Sequence, residues 1–309
     1  MHLLIPFACS HADGCRAALA SLELPHLRRL LARLVPGPLE TGDEFSLSPP
    51  HERALARALG LPLQDGLLPW AALQAQDAGL AGGDWARMTL CHWQVGSHQI
   101  MMEGRGLEGM SEADSRALLA DMSVYFAEDG IRLHYLSPTQ WLASGPVLAQ
   151  LPTASPDRVA GRDVSAWLPE GAAAATLRRL QAEMQMLLYQ HPINDARAQA
   201  RLAPVNAFWL SGTGALDPAT PRAPVPEVFD SLREPALQDD WVAWARAWQA
   251  LEAAHIVPLL ARGTPDTGLA VTLCGERQAR TWTAQPQPIL RKLMNQIRPQ
   301  ALMPLLEKL

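Results

Sequence analysis

The chain has 309 residues, 48% of them hydrophobic and 18% charged, with a formal net charge of −5. That length can bury a core without covalent staples. The acidic balance argues against general nucleic-acid binding, which calls for a basic surplus, and no apolar run nears the roughly 18 residues of a membrane span.

In chain order, the pattern predicts a strand over 2–8 and a helix over 24–34. That helix sets Leu27, Leu30, Leu31 and Leu34 on one face and Arg28, Arg29 and Arg33 on the other. A Pro/Gly-rich loop follows over 35–50, then a helix over 50–59 that opens on proline. A loop with Gly79, Gly82 and Gly83 leads into a strand over 86–94, with 100–102 as its pairing partner. Ser111 begins a helix with an acidic residue at its third position, close to a capping box. Asp129-Gly130 then turns the chain into the alternating strand IRLHYL. A short helix is expected at 137–141 and a loop-rich connection over 143–171, its Pro- and Ser-rich part over 151–169 being an exposed connection or a binding loop. A helix over 172–191, with Leu177, Leu180, Met184, Leu187 and Leu188 on its apolar face, stops or bends at Pro192; further helical turns are expected over 193–201. The strand 205–210, a Pro-rich loop over 215–228, a long helix over 238–260, a hairpin formed by 269–274 and 279–283, and two helical stretches divided at Pro299 complete the chain. This alternation predicts a single α/β domain over 1–309, a layered mixed β-sheet flanked by helices.

Four scattered cysteines, Cys9, Cys15, Cys91 and Cys274, form no CxxC or zinc pattern. Unpaired cysteines point to a reducing compartment, hence to a cytoplasmic protein. The N-terminal apolar run has no basic segment before it and reads as a strand rather than a signal peptide. Ten tryptophans against five Phe and three Tyr predict either a rigid core or an aromatic-lined cleft.

The richest stretch is LRRLQAEMQMLLYQHPINDARAQARLAPVNAFWLSGTG, residues 177–214. His191, Asn194 and Arg197 recur at intervals of three, Asn206 enters a strand, and Ser211, Gly212, Thr213 and Gly214 leave it. Backbone N–H groups of a small-residue loop after a strand can cradle an anion, and an arginine can add bidentate contacts to phosphate or carboxylate. These eight residues are therefore the candidate ligand or anion-binding set. A plainer reading stands beside it: His191 and Asn194 cap a helix end, and SGTG is a tight turn. The loop carries neither GK[ST] nor GxGxxG.

This stretch is similar to a signature of a bacterial family of RpfE-type regulatory, phosphoglycerate mutase-like proteins. The similarity runs over most of the chain, through PPHERALARALGL, LPWAA, TLCHWQVG, YFAEDGIRLHYLSPTQWLASG and DRVAGRDVSAWLP. The pattern His-Pro-x-Asn-x-x-Arg followed by PVNAFWLSGTG also resembles a segment of archaeal-type cofactor-independent phosphoglycerate mutases of the alkaline phosphatase superfamily. The resemblance implies an alkaline-phosphatase-like core. In that group it also implies two metal ions, a serine nucleophile, Asp and His ligands and a nearby lysine. Here Asp13-Gly14 lacks acidic companions and Gly42-Asp43 is isolated. No Asp-x-His stands in the last third, His255 is the only histidine beyond His191, and both lysines, Lys292 and Lys308, lie near the C-terminal end. The expected core thus lacks a complete metal site, because a two-metal centre needs several convergent anionic ligands.

Other candidates have plainer readings. Trp241, Trp244, Trp248, Leu251 and His255 form a base-stacking platform or, by their helical spacing, a core face. His92, His98 and Glu103 match no standard metal spacing. His51-Glu52-Arg53 suits the first turn of a helix, and Ser10-His11 are adjacent without an orienting acid. Arg158, Arg162 and Asp163 close over an anion or pair at the surface. The expectation is a non-catalytic regulatory protein that binds a protein partner or a small anionic ligand, with no cofactor. The alternative is a phosphomutase or phosphatase that uses a divalent metal such as manganese on a small phosphorylated metabolite.

Overall fold

A computed structural model describes residues 1–80, 82–104, 106–217, 219, 223–261, 268–285 and 302–309. The elements are β1 (His2–Ile5), α1 (Asp13–Ser21), α2 (Pro25–Ala32), β2 (Val35–Thr41), α3 (Pro50–Leu59), α4 (Trp70–Asp77), β3 (Trp85–Cys91), β4 (Trp93–Val95) and β5 (Ile100–Met102). There follow α5 (Glu112–Glu128), β6 (Arg132–Ser137), β7 (Gln140–Ser144), α6 (Pro156–Val159), α7 (Ala172–Tyr189), α8 (Pro192–Gln199) and β8 (Ala207–Ser211). The chain ends with β9 (Glu227–Val228), α9 (Arg233–Leu237), α10 (Trp241–Leu251), α11 (Val257–Ala261), β10 (Ala270–Cys274), β11 (Gln278–Thr283) and α12 (Leu302–Leu306). Pro299 and most of the two expected C-terminal helical stretches lie outside the described residues. No described helix is long and apolar enough to cross a membrane.

The elements pack into two compact units. The first comprises 1–45, 49–59 and 222–309, the second 46–48 and 60–221.

The first unit holds a mixed sheet of order β2-β11-β10-β1-β9, in which β1 runs parallel to β10 and β9 while β11 runs antiparallel to β10 and β2. Leu3 and Ile5, beside Val271, Leu273 and Trp282, bury one face against α1, α2 and α10. Leu4 and Cys274 meet Ala54 of α3 on the other. A strand covered on both faces reads as a continuous apolar run, as β1 does. Residues 35–41, expected as loop, form β2. It is an edge strand, where a proline nitrogen facing outward forfeits no ladder bond, so Pro36 and Pro38 are tolerated. The helix expected over 238–260 persists through Pro258 by widening to a π turn over Glu252–Ile256. Proline there has no N–H to give and its ring crowds the carbonyl four residues back. Buried Glu252 accepts from the backbone N–H groups of His26 (2.7 Å) and Leu27 (2.8 Å), donors that the first turn of α2 leaves unpaired.

The second unit holds an antiparallel sheet of order β6-β7-β3-β8, with the β4-β5 hairpin beside it. Alternation divides its side chains cleanly. Ala86, Met88, Leu90, Trp141, Ala143, Phe208 and Leu210 face α5 and α7. The opposite face meets α4, where Ala71, Ala72 and Ala75 lie on Trp85 and Leu142. It also meets the 154–167 stretch, which lays Ala154, Val159, Val164 and Trp167 against Trp209. That stretch was expected to be an exposed connection or a binding loop; it is a covering layer, with short helical turns at Pro156–Val159 and Val164–Trp167. The short helix expected at 137–141 is instead a turn into β7, since Trp141, Leu142 and Ala143 are buried in mid-sheet. Ser111 caps α5 by accepting from Asp114 N (3.0 Å).

Most of the tryptophans are core, while Trp85 also borders a cleft. Trp141, Trp209, Trp244 and Trp248 are fully buried, and their indole N–H groups donate to Ser115 Oγ, Ala154 O, Phe7 O and Ala8 O respectively. A buried indole needs such a partner. The Trp241–Leu251 face is accordingly a packing face.

Candidate functional site

The eight candidate residues of 191–214 do not converge. His191 caps α8, its Nδ1 accepting from Ile193 N (3.2 Å), and its Nε2 lies 3.1 Å from Asp121 Oδ2. Asn194 donates to Leu188 O and Val205 O and accepts from Val205 N, all at 2.8 Å. Arg197 is buried; its Nε donates to Ala203 O (2.7 Å) and its Nη2 to Glu108 O (2.9 Å). Burial pushes its guanidinium below the ordinary value, opposed by the charge of Asp114. Asn206 imitates a strand pair, accepting from Trp93 N (2.7 Å) and donating to Trp93 O (2.8 Å).

The SGTG residues lie at the other end of β8, about 17 Å from Asn206 at roughly 3.3 Å per strand residue. Gly212 O accepts from Ala71 N (2.9 Å) at the start of α4. Thr213, wholly buried, donates to Leu151 O (2.6 Å) with Thr153 Oγ1 beside it at 2.9 Å. Ser211 Oγ is buried with no partner among the described residues. Gly214 has φ +137°, and its Cα lies against the Leu67 carbonyl and Pro69 N. Most of these polar groups tie one backbone segment to another.

The described residues do not fit the metal pair implied by the resemblance. Asp13 pairs with Arg16, Asp43 accepts from Phe45 N, and Glu276 accepts from Ser10 Oγ and His11 N. Among the described residues no three His, Cys, Asp or Glu side chains gather as a metal-holding group. The four cysteines are free and buried. Burial pushes the Cys15 thiol up to about 11 and raises the other three as well, so none is a thiolate at neutral pH.

A different place in the second unit gathers polar side chains around a cavity. A cleft of about 400 Å3 opens where β3, β6 and β7 end together, lined by Leu80, Gly82, Gly83, Asp84, Trp85, Gly130, Arg132, His134 and 144–146. The register explains the grouping. Ser144 pairs with Trp85 on one side and Arg132 on the other, and His134 stands two residues beyond Arg132, so all four share one face of the sheet. Gly145 is required here, because a Cβ would meet Gly130 O at 2.8 Å. Its N–H donates to Asp84 O (3.0 Å), which fixes the rim. His134 Nε2 lies 3.2 Å from buried Ser144 Oγ, and its ring rests 5.2 Å from that of Trp85. Arg132 is exposed, and neither its guanidinium nor the half-buried Asp84 carboxylate makes a hydrogen bond or ion pair among the described residues. Volumes of a few hundred Å3 with a few polar groups on an apolar wall suit small molecules. The sequence shows part of this, since Arg132 and His134 alternate within IRLHYL; nothing local announces that Asp84, Trp85 and Ser144 join them.

No family model matches the chain, and no curated protein does. Among solved structures the chain is similar to the cofactor-independent phosphoglycerate mutase from Thermoplasma acidophilum DSM 1728, at 14% identity and a TM-score of 0.38, over 100% of this chain and 99% of that one. It is also similar to the PH0037 protein from Pyrococcus horikoshii, at 11% identity and a TM-score of 0.45, over 91% of this chain and 87% of that one. Scores below 0.5 describe a coarse likeness, so the chemistry has to come from the residues themselves.

Burial, and then the nearby Arg132 charge, hold the His134 imidazole below its ordinary 6.5; burial and then the N-terminal ammonium do the same for His2. An unfolded chain takes up these protons first, so stability is full above about 6.5 and falls as pH drops below it. Urea denaturation at pH 7.5 and 5.5 should show this fall, and His134→Gln should reduce it. An unchanged difference in the variant would remove His134 from the account.

Proposed function

We propose that this chain is a non-catalytic binding protein that takes a small anionic ligand in the cleft between Asp84 and Ser144, in keeping with a regulatory role on a core that resembles the alkaline phosphatase superfamily. One observation carries the reading. Arg132, unpaired among the described residues and exposed, stands on the same sheet face as Ser144, His134 and Trp85 at the mouth of a 400 Å3 cleft. A cation beside a hydroxyl is what an acid group needs. The unpaired, buried cysteines support a reducing compartment, for which we propose the cytoplasm.

Isothermal titration with inorganic phosphate and with simple carboxylates tests the reading. A charge-assisted hydrogen bond contributes about 1.5–3 kcal/mol, so Arg132→Gln should weaken binding by roughly ten- to a hundredfold. Binding of equal strength in wild type and variant would remove the cleft as the site.

A second reading is hydrolysis by Ser144 with His134 as base, favoured by their 3.2 Å approach. Against it, no carboxylate holds the other imidazole nitrogen among the described residues, as a working triad requires. Turnover of p-nitrophenyl phosphate or p-nitrophenyl acetate, with and without manganese, that disappears in Ser144→Ala would establish this second reading in place of the first.

A further inference from the structure

The cleft carries both signs of charge, and this says more about its ligand than that it is an anion. Asp84 lies on the rim beside Trp85, and Arg132, on the far side of β7, lines the same space. A carboxylate and a guanidinium that share one cleft ordinarily neutralise each other. Here neither pairs with the other, nor makes any other ion pair among the described residues. Each charge is therefore left uncompensated among the described residues. The remaining walls are apolar or neutral: Leu80, Trp85 and Pro146, with His134 resting on the Trp85 ring. A simple dianion would satisfy Arg132 and be repelled by Asp84.

From this juxtaposition we propose that the cleft binds a zwitterion of the α-amino-acid class, its carboxylate on Arg132, its ammonium on Asp84 and its apolar side chain against Trp85 and Leu80. The inference rests on the cleft being the ligand site and narrows the ligand it takes. The two charged groups make a pair of tests of opposite sign, since loss of either end of the ligand corresponds to loss of one residue.

Isothermal titration with L-leucine, L-methionine and L-phenylalanine, each beside its deaminated acid, its N-acetyl derivative and its methyl ester, tests it on the full chain. At least one free amino acid should bind tenfold or more tightly than all three of its derivatives. Asp84→Asn should reduce amino-acid binding at least tenfold while leaving the deaminated acid bound as well as before or better, and Arg132→Gln should weaken both. Thermal melts of each variant establish that the fold is kept, and Asp84→Ser is the substitute should Asp84→Asn melt early. Deaminated acids or inorganic phosphate binding as well as the amino acids, or an Asp84→Asn variant that behaves as wild type, would overturn the zwitterion and leave the anion site standing. Failure of every amino acid, acid and phosphate to bind would overturn both.

Discussion

Gly214→Ala is expected to destabilise the second unit by about 3 kcal/mol or more, enough to lower its yield as folded protein. Two costs add. At φ +137° an L side chain is strained whatever surrounds it, which is worth of order 1–3 kcal/mol. The Cβ would also penetrate the Leu67 carbonyl and come within 3.2 Å of Pro69 N. These are backbone atoms that cannot rotate away, and they belong to the turn that starts α4. Gly83→Ala is the control, because Gly83 has φ +145° and a Cβ there would meet nothing nearer than Trp85 Nε1 at 3.7 Å; it should cost only about 1–3 kcal/mol, that of the conformation alone. Urea denaturation of both variants separates clash from strain. If the two lose equal stability, the close approach at Leu67 is not what holds this corner.

The same corner shows how far the sequence could be read. SGTG announces a tight turn by composition; the structure has irregular backbone there, with Gly212 and Gly214 at positive φ. What the sequence does not announce is what this segment packs on, because Leu67, Thr153 and Ala71 arrive from distant segments. Elements with strong local signals were legible. Ser111 and Asp114 mark the start of α5 because the cap is a bond between neighbours. Gly130, at φ +70°, marks its end because only a left-handed residue closes the last turn comfortably. The missed elements are those whose context overrides local chemistry. Strand β2 carries two prolines and is a strand only because its edge position tolerates them. Helix α4 buries Trp70, Ala71, Ala72 and Ala75 with little polar contrast, so it lacks the periodic stripe by which helices are recognised. Strand β7 begins after Ser-Pro, which imitates a helix start, and its four buried residues are too short a run to show a period.

The candidate site divides the same way. Spacing of three along 191–197 is a real structural signal, but a helix entrance needs polar caps as much as a ligand needs polar contacts, and the sequence offers no means to tell them apart. The cleft was only half visible. Arg132 and His134 fall on one face by strand alternation, a property of neighbours. Asp84, Trp85 and Ser144 reach them through cross-strand register, which depends on turns and burial elsewhere in the sheet.

Arg197 decides between the two roles that the 191–197 spacing allows. Arg197→Met keeps the length and apolar stem while removing the guanidinium, and is expected to cost about 2–4 kcal/mol. The Ala203 and Glu108 carbonyls lose charged donors at 2.7 and 2.9 Å, each such bond being worth about 1.5–3 kcal/mol, and part of that loss is recovered because the buried cation no longer has to be desolvated. Arg197→Lys should recover little, since one ammonium on a flexible stem cannot reproduce two donors held in a fixed fork. Both variants should melt at lower temperature yet, below that temperature, bind a ligand of the Arg132 cleft with wild-type affinity. Arg132→Gln should do the reverse, because an exposed side chain without partners among the described residues contributes little to the fold. An Arg197 variant of unchanged stability that loses ligand would return the binding site to the end of α8, because a guanidinium can be spared by the fold only where its bonds to the backbone were never needed.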